Sequence, residues 1–241
     1  MLKEKELKEF HVERCKILSP AAKDYLNQMR VRVIFEPRAA ETKKTGAPPG
    51  STKGYVDAVT GEEYMDKPEC MTHLFGNKLV YKDHARIAFR GAIDHLQSQI
   101  VFAQVSLRSG YPDKLIDDLE DVLTFARNLL RAEVLDEPIG DLQLLGLSIA
   151  ELRDQSHNPE KYFGVKAMTM PHYSMGEGFA HLNLLRSMTR QAEVTAVQAL
   201  MEDHADPCHE IVIALNRMSS GFHILCCRLL SGYYGNGRAG E

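Results

Sequence analysis

Apolar residues recur at three- and four-residue spacing through most of the chain after residue 80, which is the pattern of amphipathic helices. Turn-forming residues interrupt this pattern at residues 110–112 and 138–140. The pattern predicts five helices, at residues 83–109, 113–135, 141–155, 178–203 and 208–230. Because short loops join helices of this length, we expect an all-α, up-and-down five-helix bundle.

The first 36 residues follow a different pattern. Residues 31–35 alternate and are rich in β-branched side chains, which predicts a strand, and Ser19-Pro20 predicts the start of a short helix. Because one strand cannot form a sheet, we expect this α/β unit to pair with another chain or to pack as a small flap. Residues 37–68 are rich in proline and glycine, which predicts a flexible linker. The predicted organisation is an appendage at 1–36, a linker at 37–68 and a helical-bundle domain at 69–241.

Composition narrows the functional classes. Hydrophobic residues make up 44% of the chain and charged residues 26%, as in an ordinary globular protein. The net charge of −4 argues against a general nucleic-acid binder, so any phosphate site must be local. The N-terminus is charged and apolar runs are short, so we expect a cytoplasmic protein. Five cysteines, two of them adjacent, predict free thiols rather than a disulfide framework.

A basic stripe marks the start of the first predicted long helix. Lys82, Arg86, Arg90 and Asp94 recur every four residues, so they share one face that leads back to the positive end of the helix dipole. Residues 72–78 supply a hydroxyl, a glycine and a lysine, which are the components of an anion-binding loop. A polyphosphate would fit there. A solvated face with an Arg90–Asp94 pair would give the same spacing, so both interpretations stay open.

Two further polar clusters lie within otherwise apolar helices. Arg186, Arg190 and Glu193 share one face, and they need partners if they are buried. The alternative is a surface ridge held by an Arg190–Glu193 pair. The segment 215–220 contains asparagine, arginine and two serines between apolar residues, which predicts either a bound ligand or a network that fixes helix register.

Together the three clusters resemble the motifs of the ATP:cob(I)alamin adenosyltransferases, in particular their ethanolamine-utilisation branch. The similarity is carried by five short segments, at residues 71–74, 79–82, 86–94, 186–193 and 215–220. Residues 19–35 also resemble the N-terminal part of that branch. The resemblance implies an enzyme that transfers the 5′-deoxyadenosyl group of ATP to Co(I) of cobalamin, giving adenosylcobalamin and triphosphate. The family's fold, a ferritin-like helical bundle, agrees with the five helices predicted from periodicity.

The resemblance also implies roles for individual residues. The triphosphate would be held by hydroxyl and cationic side chains near the start of the first long helix: Thr72, Lys78, Lys82, Arg86 and Arg90. Arg190 and Glu193 would contact ATP or its Mg²⁺, and Asn216 would hold the nucleotide. Because Co(I) is itself the nucleophile, the protein would contribute positioning and electrostatic stabilisation of the leaving group.

An oligomeric assembly is a further implication. The resemblance favours a homotrimer with active sites between subunits, where Asp94 and Arg186 would form a catalytically required salt bridge across the boundary. A cobalamin reductase and an adenosylcobalamin-dependent lyase are implied partners, and a bacterial microcompartment is an implied location. The competing interpretation is a non-catalytic corrinoid-binding carrier or microcompartment scaffold. Ser220, where the propanediol-utilisation branch has a carboxylate, keeps it open.

The loop at residues 163–176 is implied to lie under the corrin ring and to displace its lower axial ligand. Three apolar residues remain alternatives for that role: Phe163, Met168 and Met170. We expect no structural metal site, because Cys70 and His73 are only two ligands and a closed zinc site needs four.

Overall fold

The computed structural model describes residues 9–13, 25–26, 28–29, 31–36, 54–140, 142–167, 169–200 and 210–235. It divides into two compact units, Met1–Lys53 and Gly54–Glu241. In the first unit, β1 (Glu9–Glu13) pairs in parallel with β2 (Arg32–Glu36). The strand predicted at 31–35 is confirmed, but its partner is a strand of the same unit. β1 alternates polar and apolar residues as a strand does, but it is short and glutamate-containing, and glutamate is depleted in strands.

A four-stranded sheet opens the second unit. Its strands are β3 (Tyr55–Asp57), β4 (Glu63–Tyr64), β5 (Met71–Phe75) and β6 (Lys78–Tyr81), in the order β4-β3-β6-β5. The sequence predicted a linker over residues 37–68, and residues 54–68 of that range form β3, β4 and the adjoining turns. The Asp57 carboxylate stabilises the turn after β3 by accepting bonds from the backbone N–H groups of Val59 at 2.7 Å and Thr60 at 3.0 Å. Strands of two or three residues are too short to show alternation.

The rest of the second unit is mostly helical. The described residues of this unit form six α-helices: α1 (Ala85–Leu107), α2 (Asp113–Leu135), α3 (Ile149–His157), α4 (Pro159–Phe163), α5 (Gly176–Leu200) and α6 (Glu210–Leu230). Helices near four of the five predicted positions are confirmed, at α1, α2, α5 and α6.

The helix predicted at 141–155 is correct only for its second half. Its first half contains a hairpin of β7 (Gln143–Leu144) and β8 (Leu147–Ser148). Leu145 and Gly146 at its tip have φ angles of 57° and 71°, in the left-handed region that ends regular helix. Ser148 then caps α3 through a capping box with Glu151. The apolar residues of the hairpin follow a helix-like spacing, which explains the incorrect prediction.

The long helices are antiparallel where they pack. Contacts near both ends set the direction of α2 against α1 and of α6 against α2: Gln104–Ile116, Arg86–Glu133, Ile139–Glu210 and Arg228–Asp118. The Phe102 ring of α1 lies 5.8 Å from the His181 ring of α5. The Tyr111 hydroxyl, just after α1, accepts a bond from the Gly178 N–H at 2.8 Å. The last turns of α1 and the first turns of α5 are therefore neighbours.

These directions place four cationic residues at one end of the helical layer. Lys82, Arg86 and Arg90 lie at or just before the first turns of α1, and Arg190 lies in the second half of α5. We call this end, defined by those four residues, the basic end. The opposite end holds the first turns of α2 and α5 and the last turns of α1 and α6.

One apolar core joins the helices, and it includes Leu152 of α3. Cys226 and Cys227 of α6 are buried and free, as predicted, whereas Cys70 is disulfide-bonded, so the prediction of free thiols was wrong for Cys70. None of the helices in the described ranges has the length and apolar character that a membrane span requires.

Candidate active site at the basic end

The start of α1 is fixed by the adjoining sheet. β6 ends at Tyr81, and the His84 ring caps α1 by accepting a bond from the Arg86 N–H at 3.2 Å. The Lys82 ammonium lies 3.8 Å from the Glu69 carboxylate, but the two side chains are 55% and 100% exposed. Such a pair is screened by water and contributes little. Lys82 is therefore an accessible cation at the basic end.

Arg86 and Arg90 share one buried carboxylate, that of Glu133 on α2. The Nε of Arg86 lies 2.6 Å from Glu133 Oε1, and the Nε of Arg90 lies 2.6 Å from Oε2. The Glu133 side chain is fully buried, whereas those of Arg86 and Arg90 are 22% and 16% exposed. The Arg90–Asp94 pair considered from sequence does not form in the structure, because Arg90 turns to Glu133 and Asp94 is exposed.

Glu133 is a site residue that was not predicted from the sequence. A signal for it was present, because Ala126, Leu129 and Glu133 follow the three- and four-residue spacing of the buried face of α2. A carboxylate at a core position needs cationic or hydrogen-bonding partners. What the spacing could not supply was the identity of those partners, which come from another helix.

The hairpin of β5 and β6 carries Thr72 and Lys78. Thr72 is half-buried on β5, and the exposed Lys78 ammonium lies over the Phe75 ring, 5.0 Å from its centroid. Arg90 Nη1 donates to the backbone carbonyl of His73 at 3.4 Å, which connects β5 to α1. The hairpin is thus tethered beside the first turns of α1.

A second polar network joins α5 and α6. The Asn216 amide donates to Glu193 Oε1 at 3.0 Å, and the Arg217 guanidinium donates to Asn216 Oδ1. Arg190 is exposed, one turn before Glu193, and both line a shallow groove on α5. The Arg190–Glu193 ion pair considered from sequence does not occur among the described residues. Glu193 instead accepts a hydrogen bond from the Asn216 amide. The Asn216 segment therefore forms an interhelical network.

Arg217 is an incompletely paired cation. Its Nε and Nη1 atoms are buried and meet no acceptor in the part of the chain that the structure describes. Burial lowers the pKa of Arg217, the nearby Arg153 lowers it further, and Glu193 partly offsets both. The guanidinium thus keeps one hydrogen bond, to Asn216, at the cost of desolvation.

Two polar networks, one of Arg86, Arg90 and Glu133 and one of Glu193, Asn216 and Arg217, lie at the same height along the helices. Twelve residues separate Phe102 from Arg90 along α1, and twelve separate His181 from Glu193 along α5. Starting from the Phe102–His181 contact, each of these twelve-residue segments extends about 18 Å toward the basic end, at 1.5 Å per residue. Arg90 and Glu193 are therefore at the same height on adjacent antiparallel helices, and the structure brings both predicted clusters to one end.

Other predicted residues are not brought together within one chain. Arg186 donates to Asn183 Oδ1 at 3.0 and 3.2 Å, and no ion pair with Asp94 occurs among the described residues. Met170 is 76% exposed, whereas Phe163 is half-buried against the core. Met168 lies outside the described residues.

The loop with Met170 leads into the first turn of α5 at Gly176, about 21 Å along the helix from Arg190. The loop is therefore at the opposite end of its own chain. No group of three or more potential metal ligands occurs in the described ranges.

Comparisons with known proteins bear on this arrangement. The family model described as cobalamin adenosyltransferase matches residues 65–229, which include the β5–β6 hairpin and all six helices except the last residue of α6. The chain is 28% identical to corrinoid adenosyltransferase EutT of Salmonella typhimurium and to that of Escherichia coli K12. Each match extends over 229 residues, 90% of this chain and 84% of the relative. No solved structure matches the chain.

Proposed function

Because the chain belongs to the cobalamin adenosyltransferase family, we propose that it transfers the 5′-deoxyadenosyl group of ATP to Co(I) of a corrinoid at the basic end. The Co(I) electron pair attacks the 5′ carbon, the bond from that carbon to the phosphate oxygen breaks, and triphosphate leaves. The protein supplies no nucleophile. Its residues position the two substrates and stabilise the departing negative charge.

The observation that carries this proposal is the common height of the two polar networks. Lys82 and Arg190 are exposed cations on adjacent elements, and neither has a strong ion-pair partner in the described ranges. Thr72 and Lys78 lie on the tethered hairpin beside them. A triphosphate at this end would meet cations from both sides, which is the arrangement that stabilises a polyanionic leaving group.

Asn216 and Glu193 fit the adenosine side of the site. Both functional ends of the Asn216 amide are already occupied, one by Glu193 and one by Arg217. A bound nucleotide would replace Glu193 as the acceptor for the Asn216 amide nitrogen, while Arg217, whose one hydrogen bond in the described ranges is to Asn216, keeps the amide in one orientation. The Glu193 carboxylate, beside the exposed Arg190, is suited to the magnesium that accompanies ATP.

We infer that the active site is completed by a second subunit in a trimer of up-and-down bundles, with α3 as the fifth helix. In one chain the Met170 loop is remote from Arg190, so the loop of a neighbour would have to supply the apolar group under the corrin ring. Asp94 is exposed and Arg186 is half-exposed, as an intersubunit salt bridge requires before assembly. Exposed apolar residues on α1 and α5 support burial there: Phe102, Val105 and Leu184.

The cobalamin reductase, the adenosylcobalamin-dependent lyase and the microcompartment location stay predictions of the sequence resemblance. One assay tests the activity itself. Purified protein is mixed with ATP, Mg²⁺ and chemically reduced cobalamin, and the corrin absorption spectrum is followed before and after illumination. We expect a light-sensitive Co–C product with stoichiometric triphosphate. Tight corrinoid binding without conversion would instead identify a carrier and refute the proposal.

A further inference from the structure

Arg86 and Arg90 are not equivalent, although they lie one turn apart on the same face. All three guanidinium nitrogens of Arg90 have acceptors: Nε and Nη2 meet the Glu133 carboxylate at 2.6 and 3.4 Å, and Nη1 meets the His73 carbonyl at 3.4 Å. Arg86 uses only Nε, for the Glu133 carboxylate, and Nη2, for the Glu133 carbonyl at 3.1 Å. Within the described ranges, Nη1 of Arg86 has no acceptor.

Glu133 also sets the net charge of the cluster that it forms with Arg86 and Arg90. Two guanidinium groups and one carboxylate leave a net charge of +1, and the carboxylate lies between cations that would otherwise repel each other. The Glu133 carboxylate binds α2 to α1, and Arg90 extends the connection to β5. Through Glu133, α2 therefore fixes the two elements, α1 and β5, that carry the proposed phosphate ligands Arg86 and Thr72.

We propose that Glu133 is a positioning residue. It holds Arg86 so that its Nη1 is available to bind the triphosphate, and it holds Arg90 in a structural contact in which Arg90 does not touch the nucleotide. This inference rests on the proposed function. It also changes the role of Arg90, which the sequence resemblance grouped with the phosphate ligands. Glu133 itself touches neither substrate and acts only through the arginines.

A purely structural role accounts less well for the cluster. A buried ion pair is seldom the most stable choice, because apolar residues of similar volume avoid the desolvation cost. A fixed cation at a partly exposed position has a use when an anion must be held in a defined geometry. The opposite end of the helices holds a largely buried ion pair with a structural role only: the Asp118 carboxylate accepts from Arg228 at 2.9 Å and from Tyr234 at 2.6 Å, remote from the proposed site, and it serves as the reference for the test.

The test compares Glu133→Gln with Asp118→Asn as a matched control, since each replaces a carboxylate in an ion pair by its isosteric amide. For Glu133→Gln we expect kcat to fall roughly 10- to 100-fold, the loss typical of a displaced catalytic group. We expect KM for ATP to stay constant or to fall, because the cluster changes from +1 to +2. For the same reason, KM should depend more steeply on salt concentration. Asp118→Asn should alter stability but neither kcat nor the salt dependence.

A kcat, a KM and a salt dependence for Glu133→Gln that all match those of Asp118→Asn would overturn the inference. If Glu133→Gln does not fold, Arg90→Lys replaces it. That variant keeps the charge but loses the fork geometry, so kcat should fall while the salt dependence stays as in the wild type; unchanged kcat would overturn the inference.

The inference can also fail or succeed independently of turnover. Calorimetry with inorganic triphosphate measures the anion site directly, and Glu133→Gln should make its affinity more dependent on salt. A wild-type protein without adenosylation refutes the proposed function alone. A wild-type protein that turns over, beside a Glu133→Gln variant with normal kinetics and normal triphosphate binding, refutes the role of Glu133 alone.

Discussion

Replacing Arg217 by methionine should leave the protein as stable as the wild type, or more so, while weakening its use of ATP. The guanidinium has one hydrogen bond, to the side-chain amide oxygen Oδ1 of Asn216, and two buried nitrogens without acceptors in the described ranges. Arg217→Met keeps an unbranched chain of similar length. It removes both the single bond and the unsatisfied groups.

The magnitude follows from these contacts. A hydrogen bond from a charged donor contributes about 1.5–3 kcal/mol, and each buried unsatisfied polar group costs about 1–3 kcal/mol. At the midpoints of these ranges, one favourable contact against two unfavourable ones predicts about 2 kcal/mol of added stability. Asn216, however, loses the donor that fixes its amide orientation, so we expect KM for ATP to rise about tenfold, equivalent to about 1.4 kcal/mol.

The assay combines urea unfolding, followed by far-ultraviolet circular dichroism, with steady-state adenosylation at varied ATP. Arg217→Lys is the matched control, because it keeps a buried cation and should gain no stability. Destabilisation of Arg217→Met by more than about 2 kcal/mol would show that the guanidinium is better paired than the contacts indicate. An unchanged KM for ATP would show that Asn216 does not need Arg217 to hold its orientation.

Three further outcomes are expected. Burial raises the pKa of Cys226 to about 12 and of Cys227 to about 11, so both thiols are protonated at pH 8 and should react with iodoacetamide only after unfolding; rapid labelling of the native protein would contradict this. Gly178→Ala places a Cβ 2.8 Å from the Tyr111 ring and should cost about 1–3 kcal/mol in thermal unfolding, whereas an unchanged melting temperature would show that the ring moves freely. Asp94→Asn should reduce both the oligomer mass in light scattering and the activity, and an unchanged mass would exclude an interfacial role.

The long helices could be predicted because their apolar spacing is local and sustained. The bounds of α2 match residues 113–135, and α1 begins at Ala85, two residues after the predicted start. The sheet of β3 to β6 could not, since its strands have two to five residues and its order is set by pairing between distant segments. The hairpin before α3 depends on the left-handed conformation of Leu145, which no residue type at that position indicates.

In the candidate site, too, local spacing predicted some features, whereas others depend on contacts between distant segments. Arg190, Glu193 and Asn216 could be selected from the sequence because polar groups in apolar helices are conspicuous. The partners could not be predicted: Glu193 bonds to Asn216 rather than to Arg190, and Arg90 bonds to Glu133 rather than to Asp94. Each true partner comes from a neighbouring helix, so its identity depends on how the helices pack, which local spacing does not encode.

The convergence of cations on the phosphate tail of ATP is tested most directly by one variant, Arg190→Ala, under ATP, Mg²⁺ and chemically reduced cobalamin. Arg190 is exposed and has no structural bond in the described ranges, so its loss should leave the helical circular dichroism spectrum intact. We predict that the corrin spectrum of this variant shows no light-sensitive adenosylcobalamin while the wild type converts fully. Near-normal conversion by Arg190→Ala would contradict the placement of the leaving triphosphate at the basic end.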